Sequence, residues 1–138
     1  MKLKFLVDSL RSTEKNYCGL KVFENQNLKF NYDPCPTGEL VFDFGDINNE
    51  TIIKFVLSKK IGKYTILQNG VVIKDTAIKI KKILIDDIDV YPKINLFSNY
   101  FTDKGAIKTN GYIGFNGEYK FKFRYPLARH LILCDYYD

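Results

Sequence analysis

A chain of 138 residues, 46% of them hydrophobic and 15% aromatic, has the length of one domain and enough apolar material for a core. No stretch approaches the ~18 uninterrupted apolar residues of a membrane-spanning helix, and the apolar run in "MKLKFLVDSLRS" is too short for a signal-peptide core. The net charge of +5 permits an acidic partner, nucleic acid included, and is equally an ordinary solubility feature.

No helical period is sustained over a useful length, whereas period-2 alternation recurs along the chain. Leu3, Phe5 and Val7 alternate with Lys2, Lys4 and Leu6. "LKVFENQNLKFNYD" reads as two short strands around a turn at Asn25-Gln26-Asn27. Pro34, Pro36 and Gly38 then break the chain, and the break is taken as a boundary. Residues 1–37 are expected to form an N-terminal arm or β-hairpin that makes assembly contacts, with a sandwich domain over 38–138.

Beyond the break, Leu40, Phe42 and Phe44 share a face, and so do Ile53, Phe55 and Leu57, with Ile52 and Val56 opposite. Asn69-Gly70 between apolar runs is the preferred pair for a type I′ hairpin. In "AIKIKKILIDDIDV", Ile78 and Ile80 lie on one face; Lys81-Lys82 interrupts, and Ile83 and Ile85 resume one residue late, which suggests a β-bulge, with a strand end as the alternative. "INLFSNYF" is a further apolar segment, and Asn116-Gly117 a second hairpin signal before "EYKFKFRY". The closing "RHLILCDYY" suits a strand or a short helix. About ten short strands with turns every ~8–12 residues predict an all-β, antiparallel β-sandwich, jelly-roll or Ig-like.

Few residues offer catalytic chemistry. His130 is the single histidine, and its spacing to Cys134 supplies only two ligands where a structural zinc site takes four. Cys18, Cys35 and Cys134 are odd in number and lack a CxxC pair; they read as reduced thiols of which one pair at most could bridge. Asp86, Asp87 and Asp89, or Asp43, Asp46 and Glu50, could supply oxygens to calcium, but without the spacing of a known calcium loop. No pair of carboxylates is singled out for glycoside hydrolysis. There is no phosphate-binding glycine loop, and "NGYIGF" departs from the aromatic RNA-binding pattern by an extra Ile113.

"EYKFKFRY" interleaves Lys120, Lys122 and Arg124 with Tyr119, Phe121, Phe123 and Tyr125. In a strand the two sets point to opposite sides. The aromatics are therefore assigned to the core and the cations to an outward, partner-facing basic stripe. Burial of Phe121 and Phe123, at roughly 1.5–3 kcal/mol each, explains them by folding alone. Nucleic acid is accordingly not favoured. Tyr91, Tyr100 and Tyr112 fall near predicted loops and are the candidates for contacting a sugar; the competing reading is rim or core tyrosines with satisfied hydroxyls.

Three phrases, "ELVFDFGDINNETIIKFVLSKK", "VVIKDTAIKIKKILIDDIDV" and "NGYIGFNGEYKFKFRYPLARHLI", together resemble small β-sandwich proteins of tailed bacteriophages, over roughly residues 38–133. The shared features are an I-x-I-x-x-I-x-I-D strand and a Y-x-G-x-N-G turn leading to a closing strand; the chain differs at Ser58-Lys59-Lys60 and at Ala128-Arg129-His130. The resemblance implies a non-enzymatic virion structural protein (capsid decoration, neck, tail or fibre attachment) assembled in the host cytoplasm. Its partners would be other virion proteins in a homo- or hetero-oligomer, with no cofactor, no metal and no membrane insertion. The alternative is a carbohydrate-binding sandwich, with or without calcium, and after it a nucleic-acid-binding barrel.

Overall fold

The computed structural model describes residues 2–13, 17–43, 50–58, 66–103, 105–114, 117–124 and 130. Of the described chain 67% is strand, with one short helix, and every pairing is antiparallel, so the all-β sandwich expected from the alternation is what forms. One layer is built from β1 (Lys2–Leu10), β4 (Gly38–Asp43), β8 (Ala77–Ile85), β9 (Ile88–Asp89) and β12 (Tyr112–Ile113), with β1 between β4 and β8 and the two short strands on the other edge of β8. The second layer has the order β11 (Gly105–Ile107), β10 (Ser98–Thr102), β13 (Glu118–Arg124), β5 (Glu50–Ser58), β2 (Gly19–Glu24), β3 (Asn27–Tyr32). A separate hairpin pairs β6 (Ile66–Gln68) with β7 (Val71–Lys74).

The segment read as an arm is woven into both layers. β1 runs through the middle of the first sheet, and β2 and β3 complete the second. The break at Pro34 and Pro36 carries the chain from β3 in one sheet to β4 in the other.

Alternation dictates what faces inward. Leu3, Phe5 and Val7 of β1, Leu40 and Phe42 of β4, and Ile53, Phe55 and Leu57 of β5 are buried, while Ile52 is exposed. Phe44 lies outside the described residues. Phe5 sits at the centre: its ring lies 4.9 Å from that of Phe55, 5.2 Å from Phe121 and 5.9 Å from Phe123, across the two layers. Such tilted and edge-on aromatic contacts add to the burial of area that holds two sheets together.

The bulge falls where the interrupted alternation puts it. Leu6 pairs with Lys82 and Val7 with Ile80, so Lys81 has no opposite residue on β1. The inserted residue lets Ile80 and Ile83 both face the core. Lys81 is turned outward and pairs with Asp8 at 3.1 Å.

Several tight turns use left-handed backbone, among them Asn110-Gly111 (φ 53° and 84°) before β12. Asn69 and Gly70 both have positive φ (54° and 79°), as a type I′ hairpin requires. Asn25 (φ 56°) opens the β2–β3 turn. Asp86 and Asp87 (φ 47° and 67°) form a two-residue turn joining β8 to β9, with Ile85 opposite Ile88. Asp86 holds the start of β1 by accepting from the Lys2 amide at 2.8 Å and donating its own amide to the Lys2 carbonyl at 2.9 Å. The hairpin signal at Asn116 lies outside the described residues. "INLF" forms a single helical turn, α1 (Ile94–Phe97), after a 3-10 turn at Tyr91–Lys93; Ile94 and Phe97 are buried against the sandwich.

Candidate functional site

The outward face of the six-stranded sheet follows from the register. Residues directly opposite in an antiparallel pair point to the same side. Lys21 of β2 is opposite Val56 of β5, which is opposite Glu118 of β13, which is opposite Phe101 of β10. The next row runs Phe23, Lys54, Lys120, Asn99. Ile52 with Lys122, and Glu50 with Arg124, complete the face. The stripe expected from sequence is therefore one column of a wider surface, backed by buried Tyr119, Phe121 and Phe123; Tyr125 lies outside the described residues.

Five cations (Lys21, Lys54, Lys120, Lys122, Arg124) stand on this face against two carboxylates, Glu50 and Glu118, leaving a net +3. Each carboxylate bridges two cations. Glu118 lies 3.5 Å from Lys54 Nζ and 3.6 Å from Lys120 Nζ; Glu50 lies 3.5 Å from both Lys122 Nζ and Arg124 Nε. These pairs are largely exposed and worth little in stability, ~0–1 kcal/mol apiece.

Aromatic rings share the face with the cations. Lys54 Nζ lies 4.6 Å from the centre of the Phe23 ring, and Lys120 Nζ 5.1 Å from that of Phe101. Ile52 and Phe101 remain about two-fifths exposed. A hollow of about 270 Å³ opens between α1 and β13, lined by Leu96, Phe101, Lys120 and Arg124 among others. A shallower one of about 630 Å³ reaches from Lys120 and Ile52 to the Asn25 turn. That turn is fixed to β5: the Ile52 amide donates to Asn25 Oδ1 at 3.1 Å, and the Asn25 amide to the Ile52 carbonyl at 2.7 Å.

The alternation within β13 separates its own aromatics from its own cations, as expected. Phe23 and Phe101, from neighbouring strands, put rings back beside the cations. The sequence held one clue. Val22-Phe23 and Tyr100-Phe101 are adjacent apolar pairs, and two successive strand residues cannot both face inward. Val22 and Tyr100 are buried, so Phe23 and Phe101 are the outward members.

The three tyrosines considered for sugar contact are not brought together as a platform. Tyr100 is fully buried as the inward residue of β10, its ring 5.3 Å from that of Tyr119. Tyr91 is half-buried against the core, and its hydroxyl donates to the Asn110 carbonyl at 2.7 Å. Tyr112 donates to Asp75 Oδ2; burial, then that hydrogen bond and the carboxylate charge, push its pKa up.

The remaining chemical candidates are structural in their surroundings. His130 is fully buried, packs edge-on against Phe97 at 4.9 Å, and accepts the Arg124 amide at Nδ1 (3.3 Å). Burial and then the Arg124 charge lower its pKa to about 4. Asp86 and Asp87 form the turn described above, and Asp89 accepts the Tyr91 amide at 2.9 Å. Among the described residues no three of His, Cys, Asp and Glu come together as metal ligands. Cys134 and Asp46 lie outside the described residues. Among the described residues no helix is long and apolar enough to cross a membrane.

No protein-family model, curated protein or solved structure matches the chain.

Proposed function

We propose that this chain is a non-enzymatic docking protein that uses the outward face of its six-stranded sheet to engage an acidic protein surface. The observation that carries the reading is the combination on one flat face of Lys54, Lys120, Lys122 and Arg124 with exposed Ile52 and Phe101. Apolar contact supplies affinity, and the cations supply orientation and a preference for carboxylates. Residues 1–37 contribute to such contacts through Lys21 and Phe23 on β2. The buried His130, whose Nδ1 already accepts a backbone amide, is unsuited to act as a general base on a dissolved substrate.

The virion setting rests on the sequence resemblance alone: a capsid, neck, tail or fibre-attachment component docking onto other virion proteins. Mass spectrometry of purified particles tests it. A stoichiometric presence is expected, with incorporation of Lys120→Glu/Lys122→Glu reduced at least tenfold; absence of the wild-type chain from particles overturns the virion assignment.

A second reading is favoured by the pairing of Phe23 and Phe101 with lysines, because rings beside cations also suit single-stranded nucleic acid. Glu50 and Glu118 repel a polyanion on the same face, which is why a protein partner ranks first. A salt-sensitive mobility shift with single strands would reverse that order. Carbohydrate binding, with or without calcium, ranks below both now that Tyr100 is in the core and the Tyr91 and Tyr112 hydroxyls are engaged; a hit on a glycan array would restore it.

A further inference from the structure

Cys18 stands immediately before β2 and Cys35 shortly after β3, at the base of the hairpin the two strands form. The Cys35 amide donates to the Cys18 carbonyl at 2.9 Å, a single backbone hydrogen bond beyond the last paired residues, Leu20 and Tyr32, and outside their register. A backbone hydrogen bond of this length keeps the two Cα atoms within about 7 Å of each other, close to the ~4.4–6.8 Å that a disulfide spans. Both side chains enter the same core, with relative exposures of 1% and 0%. Both are thiols. Cys18 Sγ donates to the Thr76 carbonyl at 3.6 Å and Cys35 Sγ to the Pro36 carbonyl at 3.5 Å, both weak sulfur hydrogen bonds.

We propose that Cys18 and Cys35 are a built disulfide site, closed by a low-molecular-weight disulfide such as oxidised glutathione while the chain folds, and independent of the docking reading above. In the first step one cysteine thiolate attacks the small disulfide, forming a mixed disulfide and releasing one small thiolate, which takes up the proton lost by the cysteine. In the second, the other cysteine thiolate attacks the protein-side sulfur of the mixed disulfide and releases the second small thiolate, again with transfer of one proton. The two protein sulfurs lose two electrons in all, the small disulfide gains them, and two small thiols result.

The timing follows from the surroundings. In the folded protein both sulfurs are sealed from solvent, and burial first and the neighbouring Cys18 second push Cys35 up to about 12, so little thiolate exists to react. Asp33, Pro34, Pro36 and Thr37 around Cys35 are exposed. Closure therefore belongs to the folding chain, before this stretch settles over Cys35. The bond then ties off the loop that contains the whole β2–β3 hairpin.

The test is refolding of the full wild-type chain in a glutathione redox buffer, followed by alkylation, non-reducing digestion and mass spectrometry. A peptide pair linked through Cys18 and Cys35, lighter than the thiol form by two hydrogens, is expected. The oxidised protein should melt roughly 5–10 °C higher than the reduced protein. Recovery of Cys18 and Cys35 as alkylated thiols, as glutathione adducts, or with either linked to Cys134 would overturn the proposal. Native protein given the same buffer without unfolding should stay reduced; rapid bridging there would overturn the assignment of closure to the folding chain.

Discussion

His130 shows how a single residue can tie stability to pH. Its ring lies between Phe97 and Phe123, with centroids 4.9 and 5.6 Å away, and its Nδ1 accepts the Arg124 amide. Protonation would put a charge into an apolar site, remove that acceptor, and face the Arg124 guanidinium. The folded pKa is accordingly lowered to about 4 from an ordinary 6.5. Between these values the unfolded chain binds the proton and the folded chain does not, so stability rises with pH across the window. The contribution is complete above about pH 6.5 and is lost as pH falls towards 4, for a total of up to ~3 kcal/mol. Urea unfolding at a series of pH values should show that slope, and His130→Asn should flatten it. A wild-type profile that is level from pH 7 to 4 would mean that the imidazole is solvated.

At the scale of elements, the turn between β8 and β9 carries a removable cost. Asp86 and Asp87 both adopt left-handed backbone, where a residue with a Cβ is disfavoured and glycine is not. Asp86 recovers part of the cost by accepting the Lys2 amide. Asp87 is exposed in the same turn, and the second position of a type I′ turn is the one glycine prefers. Asp87→Gly is therefore expected to raise the stability by about 0.5–1 kcal/mol, seen as a higher urea midpoint with an unchanged slope. A fall would show that the Asp87 side chain holds something in place.

Elements of this kind also mark what the sequence could reveal. Faces of strands were legible because a pleat has a fixed period: Leu3, Phe5, Val7, Ile53, Phe55, Phe121 and Phe123 all turn inward as their alternation requires. The bulge at Lys81 was legible because a slip in period has one cheap structural solution. The Asp86-Asp87 turn was not, since its residue types suggest a cation site as readily as a hairpin. Nor was the make-up of the docking face. Phe23, Lys54, Lys120 and Asn99 form one row only because β2, β5, β13 and β10 are neighbours, and strand order in a sandwich is set by long-range pairing that no local pattern encodes. Burial of Tyr100 was hidden for the same reason: its ring meets Tyr119, a residue of the strand beside it.

Strand order decides how the whole molecule divides. The proline-rich break after β3 looks like a domain boundary when read along the chain, yet β1 and β2 before it are interior strands, one in each sheet, and β3 forms an edge of the second. β4 finds its ladder partner in β1, and β8 pairs along its full length with the same strand. Among the described residues, seven of the 24 that form the buried core come from the first 37 positions: Leu3, Phe5, Val7, Cys18, Leu20, Val22 and Cys35. At roughly 1.5–3 kcal/mol for each of Leu3, Phe5, Val7, Leu20 and Val22, their loss is comparable to the ~5–15 kcal/mol by which a domain is stable. A fragment of residues 38–138 is therefore expected to lack a cooperative thermal transition and to give a collapsed amide proton spectrum. Addition of a peptide of residues 1–37 should restore both, because the missing strands would re-enter between their former neighbours. A dispersed spectrum from the fragment alone would instead identify residues 1–37 as an appendage. The result bears on the proposed function as well as folding, since Lys21 and Phe23 reach the proposed docking face only as part of β2 in its place between β5 and β3. If the first 37 residues are needed to fold, a docking defect in a truncated chain says nothing about contacts, and the exposed side chains of Lys120 and Lys122 are the places to separate binding from stability.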